Sequence, residues 1–288
     1  MNGKVLTLVV AITAVAGCSL NRTDLGRDTF LARIGGGGQI IEPKRCNLRV
    51  AILSRPLREE AINGALWSVV DEQSIAPELR RALEVNGLRM GLITGELPHE
   101  VDSILNAKAP HKVEPSQFEF PDGDHAMIDM VDTTPEVSLL LNREGRAFGK
   151  PYQDASGWFR VTANHDGATG VALRFVPEIH HGPIQRAFTA LPNAGSYSPQ
   201  QFMQKDGQQE ESLRELATTL TLQPGQIAVV GCLPEASRSL GSFMFTQPEA
   251  NSDRLLQRVL LVWASREGVN QPVSSSLPSL VPVDPPKS

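Results

Sequence analysis

From residue 118 to residue 264 the chain repeats one pattern, a short apolar or alternating run followed by turn-forming residues. Such spacing predicts an antiparallel β domain. Phe118-Glu119-Phe120 leads to Asp122-Gly123, a hairpin signal, and on to an apolar run over 126–131. Further strands are expected over 137–141, 157–163 and 170–177, the last two separated by Asn164-His165-Asp166-Gly167. A helix near 210–216 is expected to interrupt the series. Pro224-Gly225 predicts a second hairpin, with 220–222 paired to 228–230 and with Leu222, Val230 and Leu260 buried. Aromatic residues make up only 5% of the chain, so its core must lean on Val, Leu, Ile and Ala.

Upstream the period changes. Residues 47–53 alternate as a strand, and 59–70 place Ala61, Ile62, Ala65, Leu66 and Val69 at helical spacing. Pro77 opens a second helix that runs to Val85, where Asn86-Gly87 stops it. A strand over 88–93 and a third helix over 98–105 follow. Alternating helices and strands predict a small α/β unit with its own helix-covered sheet. The fold class expected is therefore α+β. A small α/β domain at 46–107 is followed, after a linker, by a mainly antiparallel β domain at 115–267. Gly35 to Gly38 mark 18–45 as a flexible tether; the Lys-Ser/Thr of a phosphate loop does not follow them. Residues 268–288, rich in proline and serine without a period, read as a disordered tail.

The first 17 residues have a different character. Lys4 precedes an apolar run over 5–16, which closes on Val15-Ala16-Gly17-Cys18. A charged start, an apolar middle and small residues at a cut site are the layout of a secretory signal peptide. The run is too short to span a bilayer, which takes about 20 residues. With a cysteine directly after the small residues, it resembles the lipobox of bacterial lipoproteins. The resemblance implies cleavage before Cys18, a diacylglycerol on its sulfur and a fatty acyl group such as palmitate on its new amino group. It also implies a cell-envelope protein, lipid-anchored and facing the periplasm. Ser19, where aspartate favours inner-membrane retention, favours the outer membrane over the inner.

A second resemblance lies in the C-terminal third, from about 170 to 266. Val171 to Ile179 looks like a strand ending in a Pro-x-Ile turn. Leu220 to Gly231 looks like a strand, a Gly-Gln turn, a strand and a glycine. Leu240-Gly241-Ser242-Phe243-Met244-Phe245 and the apolar run Arg258 to Ala264 follow in order. Together they resemble the C-terminal β domain of bacterial secretins, the ring-forming channels of type II and III secretion and of type IV pili. The chain departs from that pattern at Gly231-Cys232, where the family pairs two glycines, and at Ser265-Arg266, where it has a Thr-Pro turn. No lip helix or band of lipid-facing alternation is recognisable, so an open channel is not expected.

No catalytic motif emerges. The six histidines form no HxxxH, HExxH or HxH pattern, and His180-His181 is read as a turn before Gly182-Pro183. Asp122-Gly123-Asp124-His125 is read as a hairpin tip, and Glu59-Glu60 and Glu210-Glu211 as exposed helical carboxylates. Cys46 and Cys232 lack a CxxC or a nearby histidine and are read as no metal site; an envelope compartment permits a disulfide between them. A net charge of −5 gives no electrostatic reason to bind nucleic acid. The chain is thus expected to be no enzyme and to need no cofactor. It reads as a membrane-anchored envelope lipoprotein with a scaffolding or protein-binding role, related in fold to secretin-type assemblies, its partners other envelope proteins. The alternatives are an envelope hydrolase with a scattered active site and a subunit of a secretin-like channel. Oligomeric state is left open.

Overall fold

The computed structural model describes residues 44–108, 112–190, 202–250 and 252–266, with backbone alone at 187–190 and 202–206. Cys18, the tether up to residue 43 and the tail beyond 266 lie outside the described residues. What is described is mostly antiparallel β in two sheets, with only short helices, which corrects the α+β expectation.

The first sheet takes strands from both ends of the described chain. Its order is β2 (Leu88–Ile93), β9 (Ile227–Cys232), β11 (Leu255–Arg266), β1 (Arg45–Pro56), β3 (Ser116–Pro121), and β10 (Thr246–Pro248) adds to β11. The expected α/β segment therefore has no sheet of its own: β1 sits between β11 and β3, and β2 pairs with β9. The reason is two-sided burial. β9 is buried at all six positions, and β11 is buried continuously from Val259 to Val262. A continuous apolar strand needs cover on both faces. On one face Ile62, Leu66, Trp67, Val101 and Leu105 of the flanking helical segments pack on Leu53, Val229 and Leu261. On the other, Leu48, Met90, Val230 and Leu260 face the second sheet.

That second sheet contains β4 (His125–Arg143), β5 (Arg146–Asp166), β6 (Gly170–Ala190) and β7 (Phe202–Ser212) in order, with β8 (Thr218–Leu222) completing the edge of β6. Phe159, Val161, Leu173 and Phe175 point inward to the shared core. The two strands expected over 126–131 and 137–141 are one strand, bent at register shifts between Asp129 and Thr134. Its turn, Glu144-Gly145, has φ of 50° and 76°, the doubly positive pair of a type I′ hairpin. Pairing of β5 with β6 ends at Ser156↔His180, beyond which β4–β5 and β6–β7 continue as separate ribbons. The first ribbon buries Leu139, Leu141 and Tyr152 in the common core.

Three local expectations need correcting. β8 and β9 are strands, and Leu222, Val230 and Leu260 are buried, but β8 pairs with β6 and β9 with β11 and β2. Pro224-Gly225 thus carries the chain between sheets and closes no hairpin. Asp122-Gly123 does the same between β3 and β4. The helix near 210–216 is the end of β7 and a single turn, Arg214–Leu216. A local turn signal specifies reversal; the sheet that receives the next strand is chosen by long-range burial.

Candidate functional site

A groove of about 780 Å³ lies beside the far end of β1. It arises because β3 is shorter than β1. β3 begins at Ser116, opposite Val50, whereas β1 runs on to Pro56 beside β11 alone. The alternation of an antiparallel ladder says where the free groups point. The Leu57 N–H donates to the Leu255 carbonyl at 2.8 Å, so odd residues of β1 face β11. The Asp122 N–H donates to the Lys44 carbonyl at 2.8 Å, so even residues face β3. Ile52 and Ser54 therefore aim their N–H and C=O at the groove, and no described strand pairs with them there.

Ile52, Ile104, Phe118, Met127 and Ile128 supply the apolar lining, and Lys112, Glu114 and Asp129 are among its polar residues. Lys112 and Glu114 pair with each other at 3.1 Å, and Arg55 is held by both oxygens of Glu59 at 2.7 and 2.5 Å. Burial and the charge of Asp132 push the Asp129 carboxyl above its usual range, and the charge of Arg258 only partly offsets this. The lining has neither histidine nor cysteine. Its chemistry is that of a strand edge over an apolar floor, with a carboxylate raised by burial.

A second concentration of polar groups covers the outer face of β5, β6 and β7. Glu178 is 1% exposed. Arg160 grips both its oxygens, at 2.8 and 3.0 Å, and Ser212 Oγ donates to it at 2.6 Å. Trp158 stacks on His180 at 5.5 Å. Burial would raise the Glu178 carboxyl, but the hydrogen bonds from Arg160 and Ser212 and the Arg160 charge hold it below its usual value. Glu178, His180 and Glu210 stand close enough to share an ion, yet Arg160 already supplies the countercharge. This face reads as a satisfied network, not as a site.

The residues singled out from sequence are placed as follows. Cys46 and Cys232 are buried and unbridged. Cys46 is level with Arg266 of β11, and the β9–β11 register, continued past Val230↔Leu260, sets Cys232 level with Arg258. Eight residues along a strand span about 26 Å, against the roughly 5.5–6 Å between Cα atoms of a disulfide; the bridge is excluded. His180 and His181 lie on a strand and face opposite ways, His180 on Trp158 and His181 on Tyr152. Glu211 is no exposed helical carboxylate: on β7, it accepts hydrogen bonds from Lys150, Tyr152 and Arg143. Trp67 is a core residue, with Arg89 over its ring at 4.0 Å. Sequence reasoning missed the groove at Ile52 and Ser54, since nothing local says where a neighbouring strand ends. Among the described residues no helix is long and apolar enough to cross a membrane. No family model, curated protein or solved structure matches the chain.

Proposed function

We propose that this is a lipid-anchored envelope protein that binds a partner by accepting an extended segment beside β1. The observation that carries the reading is the open edge at Ile52 and Ser54 above an apolar groove. Adding a strand to such an edge draws affinity from main-chain hydrogen bonds and specificity from alternate side chains. The occupant is a segment of another envelope protein that continues the line of β3, antiparallel to β1. Its inward side chains are apolar, to match Ile104, Phe118 and Met127, and one is lysine or arginine, to meet Asp129. The Cys18 layout supports the anchor. The secretin resemblance is not needed for this reading, since the hairpin expected with it is not formed.

Ser54→Pro is the discriminating variant. It removes an N–H aimed at the groove and leaves the ladder to β11 intact, because Ser54 does not face that strand. Extended peptides of apolar and basic residues selected against the protein should bind at least about tenfold more weakly to Ser54→Pro, the loss of roughly one main-chain hydrogen bond. Its melting temperature should stay near that of the parent. Equal binding by both proteins, with unchanged amide exchange at Ile52 and Ser54, would reject the strand-addition site.

The anchor is tested separately. Cys18→Ala should stop acylation and move the protein from the membrane to the soluble fraction, since two or three acyl chains bind firmly where none binds. A Cys18→Ala protein that still matured and took up a fatty-acid label would sink the anchor but not the groove.

A further inference from the structure

Where the two sheets meet at the start of β1, three side chains from distant parts of the chain converge. Cys46 is on the inner face of β1 and has no exposed surface. Asp122 lies in the turn that carries the chain from β3 to β4. His165 is near the end of β5, where the residues of its parity, Phe159, Val161 and Ala163, also face inward. The Cys46 sulfur, an Asp122 carboxylate oxygen and a His165 ring nitrogen all lie within 4.8 Å of one another.

The histidine decides what this group can do. Its Nε2 is 2.9 Å from the Arg45 carbonyl oxygen. A carbonyl only accepts, so Nε2 carries the proton, and in the neutral ring Nδ1 then carries the lone pair. Nδ1 is buried and has no hydrogen-bond partner. An unmet buried acceptor is costly and calls for an explanation. A ring held by one N–H on a backbone carbonyl, with its other nitrogen free, is how metal-bound histidines are oriented. The aspartate is oriented too: its Oδ1 accepts from the His165 backbone N–H at 2.7 Å and its own N–H continues the β1–β3 ladder to Lys44.

We propose that Cys46, Asp122 and His165 form a site for one divalent transition-metal ion of the zinc class. Sulfur, nitrogen and oxygen donors together suit Zn²⁺ and do not suit Mg²⁺ or Ca²⁺, which take oxygen ligands. Ligands at about 2.0–2.3 Å from zinc stand roughly 3.3–3.6 Å apart at the tetrahedral angle, within the limit these three side chains meet. Three protein ligands leave a fourth position to water, and Asp122, the exposed member, opens the site to solvent. A Cys–His nucleophile is the poorer reading. Burial, reinforced by Asp122, pushes the Cys46 thiol up to about 11, so without an ion it stays protonated at neutral pH. A coordinated ion takes the place of that proton. The site shares no residue with the groove and does not depend on partner binding.

The test uses the full chain with Cys18→Ser, so that Cys46 and Cys232 are the only thiols. Stripped with chelator and titrated with Co²⁺, it should bind one equivalent, showing thiolate-to-cobalt absorption and the visible bands of a four-coordinate ion, and Zn²⁺ should displace it. Cys46→Ser should lose the thiolate band, and His165→Gln and Asp122→Asn should weaken binding at least tenfold. Cys232→Ser should change nothing, because that equally buried thiol has no such neighbours among the described residues. Zn²⁺ should raise the melting temperature of the parent and not of His165→Gln. Absence of a thiolate band in the parent overturns the site whether or not any variant folds. So does a band that survives in Cys46→Ser.

Discussion

Gly241→Ala should abolish the native fold or, where folded protein is recovered, cost upward of about 3 kcal/mol, at or beyond the top of the usual range for overpacking. A Cβ built on Gly241 would lie 1.9 Å from the Gly87 carbonyl oxygen and 2.3 Å from its carbon. Both are backbone atoms, so no side chain can turn aside. Neither backbone can retreat cheaply. The Gly241 N–H donates to the Asn86 carbonyl at 2.9 Å, and the Gly87 carbonyl accepts from Leu233. Asn86, 1% exposed, also ties the helix Pro77–Val85 to β4 through Asn142. One methyl group would therefore part the short helix Leu240–Phe245 from β2 and from the β4 ribbon together. Gly149→Ala is the control: its Cβ would meet nothing within 4 Å. Urea unfolding of the two variants should differ by most of the predicted loss, and a Gly241→Ala protein as stable as Gly149→Ala would contradict this packing.

Arg160→Ala should destabilise by about 2–3 kcal/mol at neutral pH. That is somewhat below the roughly 3–5 kcal/mol for removing one partner of a fully buried pair, because Arg160 is 31% exposed and Ser212 still serves Glu178. The effect has a sign in pH. In the parent the Glu178 carboxyl is held below its ordinary value of 4.5. A depressed carboxyl contributes stability that is full above the unfolded value and is lost as pH falls through the folded one. Without Arg160 burial is no longer outweighed, the carboxyl rises, and the protonated form is favoured. The deficit of Arg160→Ala should therefore shrink as pH is lowered from 7 towards 4. Adding Glu178→Gln should recover much of it at pH 7. Melting curves at the two pH values decide the matter: a deficit independent of pH would show that Arg160 acts by packing its stem and not by answering the buried charge.

What was legible in the sequence was local. Alternation marked most of the strands, and Pro77 with Asn86-Gly87 bounded a helix where one is found. These signals depend on residues a few positions apart. The allocation of strands to sheets was not local, and there the reading failed. Pro224-Gly225 and Asp122-Gly123 reverse the chain as expected but hand it to a different sheet. One signal was available: Ile227-Ala228-Val229-Val230 is apolar without alternation, which suits a strand covered on both faces better than half of a one-sided hairpin. The site proposed for an ion shows the same limit. Cys46, Asp122 and His165 are separated by 76 and 43 positions and carry no spacing motif.

The sequence by itself determined the strand-rich character of residues 118–264, the burial of Leu222, Val230 and Leu260 and the lipobox-like pattern at Cys18, because hydrophobic period, turn chemistry and a short apolar run are properties of neighbouring residues. Only the tertiary structure decided that β1 and β2 join β9 and β11 in one sheet. It also decided that β3 stops short of Ile52 and Ser54, and that a cysteine, an aspartate and a histidine meet between the sheets. These depend on which apolar faces cover one another. That choice is made by burial summed over the whole core, where partners lie far apart along the chain.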